Sequence, residues 1–105
     1  MRPPAPPAPQ REHPRVTAGF PIRVLAGGRT LEVRARDFSM TGLFVEQALP
    51  FEDELPVRIP LPGLEREVSA TCRVERREPD GVALSFAEVD WDDLLLMARY
   101  LAPRL

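Results

Sequence analysis

Apolar and polar residues alternate along most of the chain, which is the period of a β-strand that buries one face. The alternation predicts six short strands, at residues 20–25, 30–37, 43–46, 55–61, 67–75 and 82–86. Turns that contain glycine or proline separate these runs, and the pattern has no helical stretch between them. We therefore predict an all-β fold, a small six-stranded antiparallel barrel over residues 20–87.

Two of the predicted turns carry strong local signals. Gly27-Gly28 separates the first two alternating runs, and Asp80-Gly81 separates the last two. Both pairs are typical of tight hairpins, because their residues readily adopt positive φ. The fourth run contains Pro56 and Pro60, which cannot donate to a strand ladder, so we expect an edge or interrupted strand there.

The last part of the chain changes period and predicts an α-helix at residues 90–102. Asp90 suits its N-cap, and Pro103 prevents its extension. The face expected to pack against the barrel consists of apolar residues at three- and four-residue spacing: Trp91, Leu94, Leu95, Ala98 and Leu101. Three more residues widen this surface enough for a partner interface or a weak homodimer: Leu96, Met97 and Tyr100.

A polar turn follows the second predicted strand. The alternation over residues 31–36 predicts that Asp37 and Ser39 point to the same side where the strand ends. Both side chains readily bond to nearby backbone N–H groups, and Gly42 could adopt a positive φ that turns the chain. Because such clusters occur in many hairpins, the turn alone is consistent with a purely structural role.

The N-terminus has a different composition. Residues 1–10 contain five prolines, which fix φ and remove backbone donors, so we predict a disordered proline-rich tail. Arg11 and Arg15 follow this tail on a segment, residues 11–19, that leads into the first strand of the barrel. All 14 basic residues of the chain are arginines, whose planar cations can form forked contacts with phosphate or guanine.

Arg11 and Arg15 form an Arg-x-x-x-Arg motif, and residues 37–42 form Asp-x-Ser-x-x-Gly. In this order the two motifs resemble the PilZ domain family, whose members bind the bacterial second messenger cyclic di-GMP. The resemblance extends over residues 11–87 and includes a late hairpin strand with small residues at 81–86. It implies a PilZ-type β-barrel with a C-terminal α-helix, within a single domain at residues 11–105.

The resemblance also implies a cyclic di-GMP site and no other cofactor. Arg11 and Arg15 would bind phosphate oxygens and the O6 and N7 atoms of guanine. Asp37 would accept hydrogen bonds from guanine N1–H and N2–H₂. Ser39 would bond to the base or a phosphate, and Gly42 would let the backbone approach the ligand closely.

The family also suggests a mechanism. We expect residues 11–19 to be a loose arm that closes over the ligand and relays the signal to a protein effector of unknown identity. Gln10 stands where an arginine accompanies paired ligands in the family, so we expect one ligand per domain. The alternative is a PilZ-like adaptor of the pilus or motility type, which works through protein contacts without the nucleotide.

Composition argues against several other functions. The 105 residues can hold one domain, and the chain has no apolar run of about 18 residues. Without an apolar N-terminal stretch, we expect a cytoplasmic protein that does not bind membranes. The net charge of −2 argues against a nucleic-acid polymer as partner. One histidine, an inward-facing Cys72 and no metal-ligand cluster argue against an enzyme.

Overall fold

A ring of six antiparallel strands forms the body of the computed structural model, which describes residues 14–50 and 53–105. The strands are β1 (Val16–Thr17), β2 (Pro21–Ala26), β3 (Arg29–Phe38), β4 (Gly42–Val45), β5 (Glu54–Ile59), β6 (Val68–Glu78) and β7 (Gly81–Val89). Helix α1 (Trp91–Leu101) and a short 3₁₀ turn (Ala102–Arg104) follow. The ring runs β3-β2-β5-β6-β7-β4 and closes through β4 on β3, which confirms the predicted six-stranded barrel with a C-terminal helix.

The additional strand β1 lies beside the C-terminal end of β3, in line with β2. Val16 pairs with Phe38, and the N–H groups of Ala18 and Gly19 donate to carbonyls of β3 at 2.9 and 2.8 Å. Gly19 has φ of +75°, a conformation that lets the chain change direction between β1 and β2. We expected residues 11–19 to be loose, but residues 16–19 are thus hydrogen-bonded to the barrel.

The β2–β3 hairpin forms as its sequence predicts. Gly27 and Gly28 have φ of +58° and +73°, the signature of a two-residue turn that matches the strand twist. Residues 55–61 were expected to form an edge or interrupted strand. The edge alternative was wrong, since β5 has a neighbour on each side, but β5 ends at Ile59, before Pro60, and its pairing with β2 is short. Pro56 is tolerated because β5 pairs with β6 over six residues but with β2 only through Val57 and Arg58.

Helix α1 packs on the barrel with a face that only partly matches the predicted one: Leu101 is buried and Leu94 packs against the core, as expected. Leu96, Met97, Tyr100 and Leu101 are buried, so the first three cannot form the partner or homodimer interface proposed for them. The expected core residue Trp91 is instead 72% exposed.

The buried carboxylate Asp93 accounts for this error in the helix face. Asp93 is the first of the buried residues of α1, which lie at positions 93, 96, 97, 100 and 101. These positions have the three- and four-residue spacing of one helix face. Asp93 Oδ1 lies 2.5 Å from Arg66 Nη1, and this ion pair offsets the cost of burying the charge. Asp90 takes the N-cap position, as predicted, but its side chain makes no capping bond.

Candidate functional site

A β-bulge in β3 sets the geometry of the candidate site. Ala35 pairs with Val45 of β4 and Asp37 pairs with Phe44, so Arg36 is an extra residue in the ladder. Ala35 and Phe38 are both buried, whereas Arg36 is exposed and Asp37 is half-buried. The bulge therefore shifts the alternation by one residue and turns both polar side chains to the outer side of the barrel. Simple alternation would have placed Asp37 inward with Ala35.

Arg15 and Asp37 meet on this outer surface. Arg15 Nη1 donates to Asp37 Oδ1 at 2.5 Å, with 18% and 24% of the two side chains exposed. The pairing of β1 with β3 brings them together, because Thr17 is the Cα partner of Asp37 and Arg15 lies two residues before it. Arg15 Nε is buried and, within the described part of the chain, has no hydrogen-bond partner. The site thus holds an acidic acceptor and a cation with a spare donor.

Ser39 does not share the outward direction of Asp37. Strand β3 ends at Phe38, and the Ser39 side chain is fully buried. Its Oγ accepts from the N–H of Thr41 at 3.1 Å and lies 3.4 Å from the Gly42 carbonyl oxygen. The hydroxyl therefore stabilises the turn between β3 and β4, as serine commonly does.

Gly42 is required for close packing and not for an unusual φ. Among the described residues, positive φ occurs at Gly19, Gly27, Gly28 and Gly63, so the positive φ expected at Gly42 was wrong. A Cβ atom at Gly42 would overlap the Leu84 carbonyl oxygen of β7 and lie 3.1 Å from Ser85 Cα. The glycine lets β4 and β7 approach, which closes the barrel behind the turn.

The other predicted arginine, Arg11, lies outside the described residues, as does the proline-rich tail at residues 1–10. The structure therefore describes four of the five predicted site residues: Asp37, Ser39 and Gly42 on the barrel and Arg15 on the arm. Asp37 and Arg15 are brought together, whereas Ser39 and Gly42 support the turn beneath them.

Sequence reasoning missed Arg36, the bulged residue. Its guanidinium carbon lies 3.8 Å from the centroid of the Phe44 ring, and its Nη1 donates to Asp80 Oδ2 at 2.8 Å. Phe44 is 1% exposed, but its ring lies on the outer side of β4 beneath Arg36. No local signal marks a bulge, so the position of Arg36 could not be derived from alternation.

The described part of the chain contains no helix that is both long and apolar enough to cross a membrane. In the same residues, histidine, cysteine and acidic side chains do not gather into a group that could hold a metal ion. Cys72 is buried within β6, and this burial raises the pKa of its thiol to about 12.

Comparisons with known proteins agree with this architecture. Two solved structures share the fold: the inhibitor of motility MotI/DgrA of Bacillus subtilis, with a TM-score of 0.76 and 20% identity, and the PilZ domain of CeSA from a cellulose-synthesizing bacterium, with 0.66 and 18%. The matches cover 92% and 87% of this chain, and 98% of the CeSA domain. The chain spans about half of MotI/DgrA, 51% of its length.

No curated protein matches the sequence closely enough to be significant. The family model for the PilZ domain, however, matches residues 9–102, nearly the whole chain. The chain therefore belongs to the PilZ domain family.

Proposed function

We propose that this chain is a receptor for cyclic di-GMP and that Arg15 and Asp37 form the centre of its binding site. The observation that carries the proposal is the direct contact between these two side chains on the barrel surface. They come from the two motifs that suit the cation and the acceptor in a guanine nucleotide site, and Arg11 would add a second cation from the arm.

The chemistry of Asp37 favours guanine over adenine. An ionised carboxylate accepts hydrogen bonds only, and the N1–H and N2–H₂ groups of guanine offer two adjacent donors to it. Adenine presents an acceptor at N1, which a carboxylate would repel. Asp37 is 24% exposed on its side chain, so it is accessible and yet partly shielded from water.

Arg15 donates one hydrogen bond to Asp37 in this structure, from Nη1 to Oδ1. Binding would replace this donor by the N1–H and N2–H₂ groups of guanine, so Asp37 keeps a partner throughout. The released guanidinium would then bind a phosphate oxygen or guanine N7 and O6. Its Nε–H, buried without a partner among the described residues, would gain an acceptor.

The hydrogen bonds of residues 16–19 limit the movement that could transmit the signal. Because Val16 and Thr17 pair with β3 and Arg15 already contacts Asp37, closure of the arm would involve residues before Arg15 and a change of partner for Arg15, not the whole segment 11–19. We propose that this closure, in the cytoplasm, changes the surface offered to a protein effector. The domain would act by binding and would not catalyse a reaction.

Calorimetric titration with cyclic di-GMP tests the proposal. We expect one site per chain with a dissociation constant near the micromolar range, about −8 kcal/mol. Cyclic di-AMP should not bind. Asp37→Asn should abolish binding, because the amide replaces an acceptor by a donor, whereas Glu32→Gln, an exposed carboxylate on the same strand, should bind normally. Failure of the unaltered protein to bind cyclic di-GMP would contradict the proposal.

A second candidate function is an adaptor that acts through protein contacts without the nucleotide. The exposed side chains of Trp91 and Leu95 on the outer face of α1 favour it, at 72% and 46% exposure. It predicts that a partner binds equally well with and without cyclic di-GMP, and that Trp91→Ala weakens this binding while Asp37→Asn does not.

A further inference from the structure

Two contacts orient the guanidinium of Arg36, the residue before Asp37 in the sequence. One face of its plane is covered by the Phe44 ring, whose centroid lies 3.8 Å from the guanidinium carbon. One of its nitrogen atoms, Nη1, donates to Asp80 Oδ2 at 2.8 Å. The side chain is nevertheless 44% exposed, and among the described residues no ring lies on the face of the plane opposite Phe44.

The bulge brings this guanidinium plane to the candidate site. Arg36 and Asp37 together oppose Phe44 across the β3–β4 ladder, and both lie on the outer side of the barrel. Strand β1, which leads from Arg15, pairs with the opposite edge of β3. Asp37 is therefore flanked by Arg15 on the β1 side and by the Arg36–Phe44 stack on the β4 side.

We propose that Arg36 is a further ligand-binding residue, and that its face opposite Phe44 stacks on the guanine base whose edge Asp37 binds. This inference rests on the proposed function of the same site. A guanidinium is planar, delocalised and weakly hydrated, so it stacks on flat π-systems better than an ammonium does. Bound ligand would complete a three-layer stack of Phe44, Arg36 and base.

Stacking fits the geometry better than a simple contact with a phosphate. Asp80 already accepts from Nη1, and Phe44 covers one face, so both the in-plane direction and the tilt of the guanidinium are fixed. A phosphate would compete with Asp80 for the in-plane donors. A base would use the face opposite Phe44 and leave the ion pair in place.

The experiment compares Arg36→Lys and Arg36→Gln with the unaltered protein in calorimetric titrations with cyclic di-GMP. Lysine keeps the charge but lacks the planar guanidinium, and glutamine lacks both. We therefore expect both variants to bind cyclic di-GMP about tenfold more weakly, which is the usual size of one stacking contact. Arg99→Lys is the matched control, because Arg99 is similarly exposed at 59% and pairs with Glu65 at 3.0 Å on the helix. Thermal unfolding checks that each variant is folded.

The affinities of the two variants show whether Arg36 acts by stacking, through its charge or not at all. If Arg36→Lys binds like the unaltered protein while Arg36→Gln is weak, the residue acts through its charge and the stacking inference is overturned. If both variants bind normally, Arg36 has no role in the site. If the unaltered protein does not bind cyclic di-GMP at all, the proposed function fails and this inference with it, a result distinct from the other two.

Discussion

Arg15 and Asp37, 22 residues apart in the sequence, form an ion pair in which Arg15 Nη1 lies 2.5 Å from Asp37 Oδ1. The pair links the two motifs that suggested a ligand site. Because both side chains are more than three-quarters buried, the pair is better shielded from water than the other ion pairs that the described residues form on the barrel surface.

Replacing Arg15 should affect both ligand binding and stability. We expect Arg15→Ala to abolish measurable binding of cyclic di-GMP, because it removes a cation that the ligand would contact. It should also lower the free energy of unfolding by about 1 kcal/mol, since Asp37 loses its partner but can still reach water. Titration calorimetry and urea unfolding measure the two effects separately.

Arg15→Lys and Asp37→Glu complete this test. Lysine keeps the ion pair without the fork of donors, and glutamate is one methylene longer than the strand geometry allows, so both should bind weakly while remaining folded. Unchanged affinity in Arg15→Ala would contradict the assignment of the site.

Gly42→Ala should destabilise the barrel strongly. The new Cβ would overlap the Leu84 carbonyl oxygen, so β4 and β7 must separate, at a cost of about 2–4 kcal/mol. Gly28→Ala is the matched control: nothing lies within 4 Å of its Cβ, and only its φ of +73° is strained. That control should lose about 1–2 kcal/mol in the same urea experiment. Equal losses in both variants would argue against a steric role for Gly42.

Ser39→Ala should act on stability more than on ligand binding. The variant leaves the Thr41 N–H without the acceptor that lies 3.1 Å away, and we expect a loss of about 1–2 kcal/mol in the free energy of unfolding. Its affinity for cyclic di-GMP should fall much less than that of Asp37→Asn. Complete loss of binding in a well-folded Ser39→Ala protein would instead support a direct contact between this hydroxyl and the ligand.

The Cys72 thiol should be unreactive in the folded protein. Burial raises its pKa from 9.0 to about 12, so at pH 8 the thiol stays protonated and the reactive thiolate is scarce. Thiol-specific reagents should label it only after denaturation. Because folding raises this pKa, the contribution of the thiol to the free energy of unfolding is present below pH 9. That contribution is lost as the pH rises toward 12. Rapid labelling at pH 8 without denaturant would contradict this.

The barrel could be predicted from the sequence because its evidence is local. Alternation identifies strands, and Gly27-Gly28 specifies the hairpin that the φ values then show. Local patterns could not predict that Arg15 and Asp37 lie close together. That expectation came from the family resemblance and not from their spacing in the sequence.

The errors have a common physical origin in contacts between distant parts of the chain. Gly42 is needed because β7, some 40 residues later, passes directly behind it. The inward face of α1 begins with Asp93, and only its contact with Arg66 explains why a carboxylate can be buried there. The bulge at Arg36 depends on how β3 and β4 align, which alternation within either strand does not specify.

The exposed indole of Trp91 has a practical consequence. It is the single tryptophan of the sequence, and at 72% exposure it already lies in water before the barrel unfolds. Its fluorescence should therefore change little when the barrel unfolds, which makes it a poor monitor of denaturation. For the same reason its emission should shift to the blue when another molecule covers the outer face of α1, so the protein carries its own optical sensor for an effector that docks there.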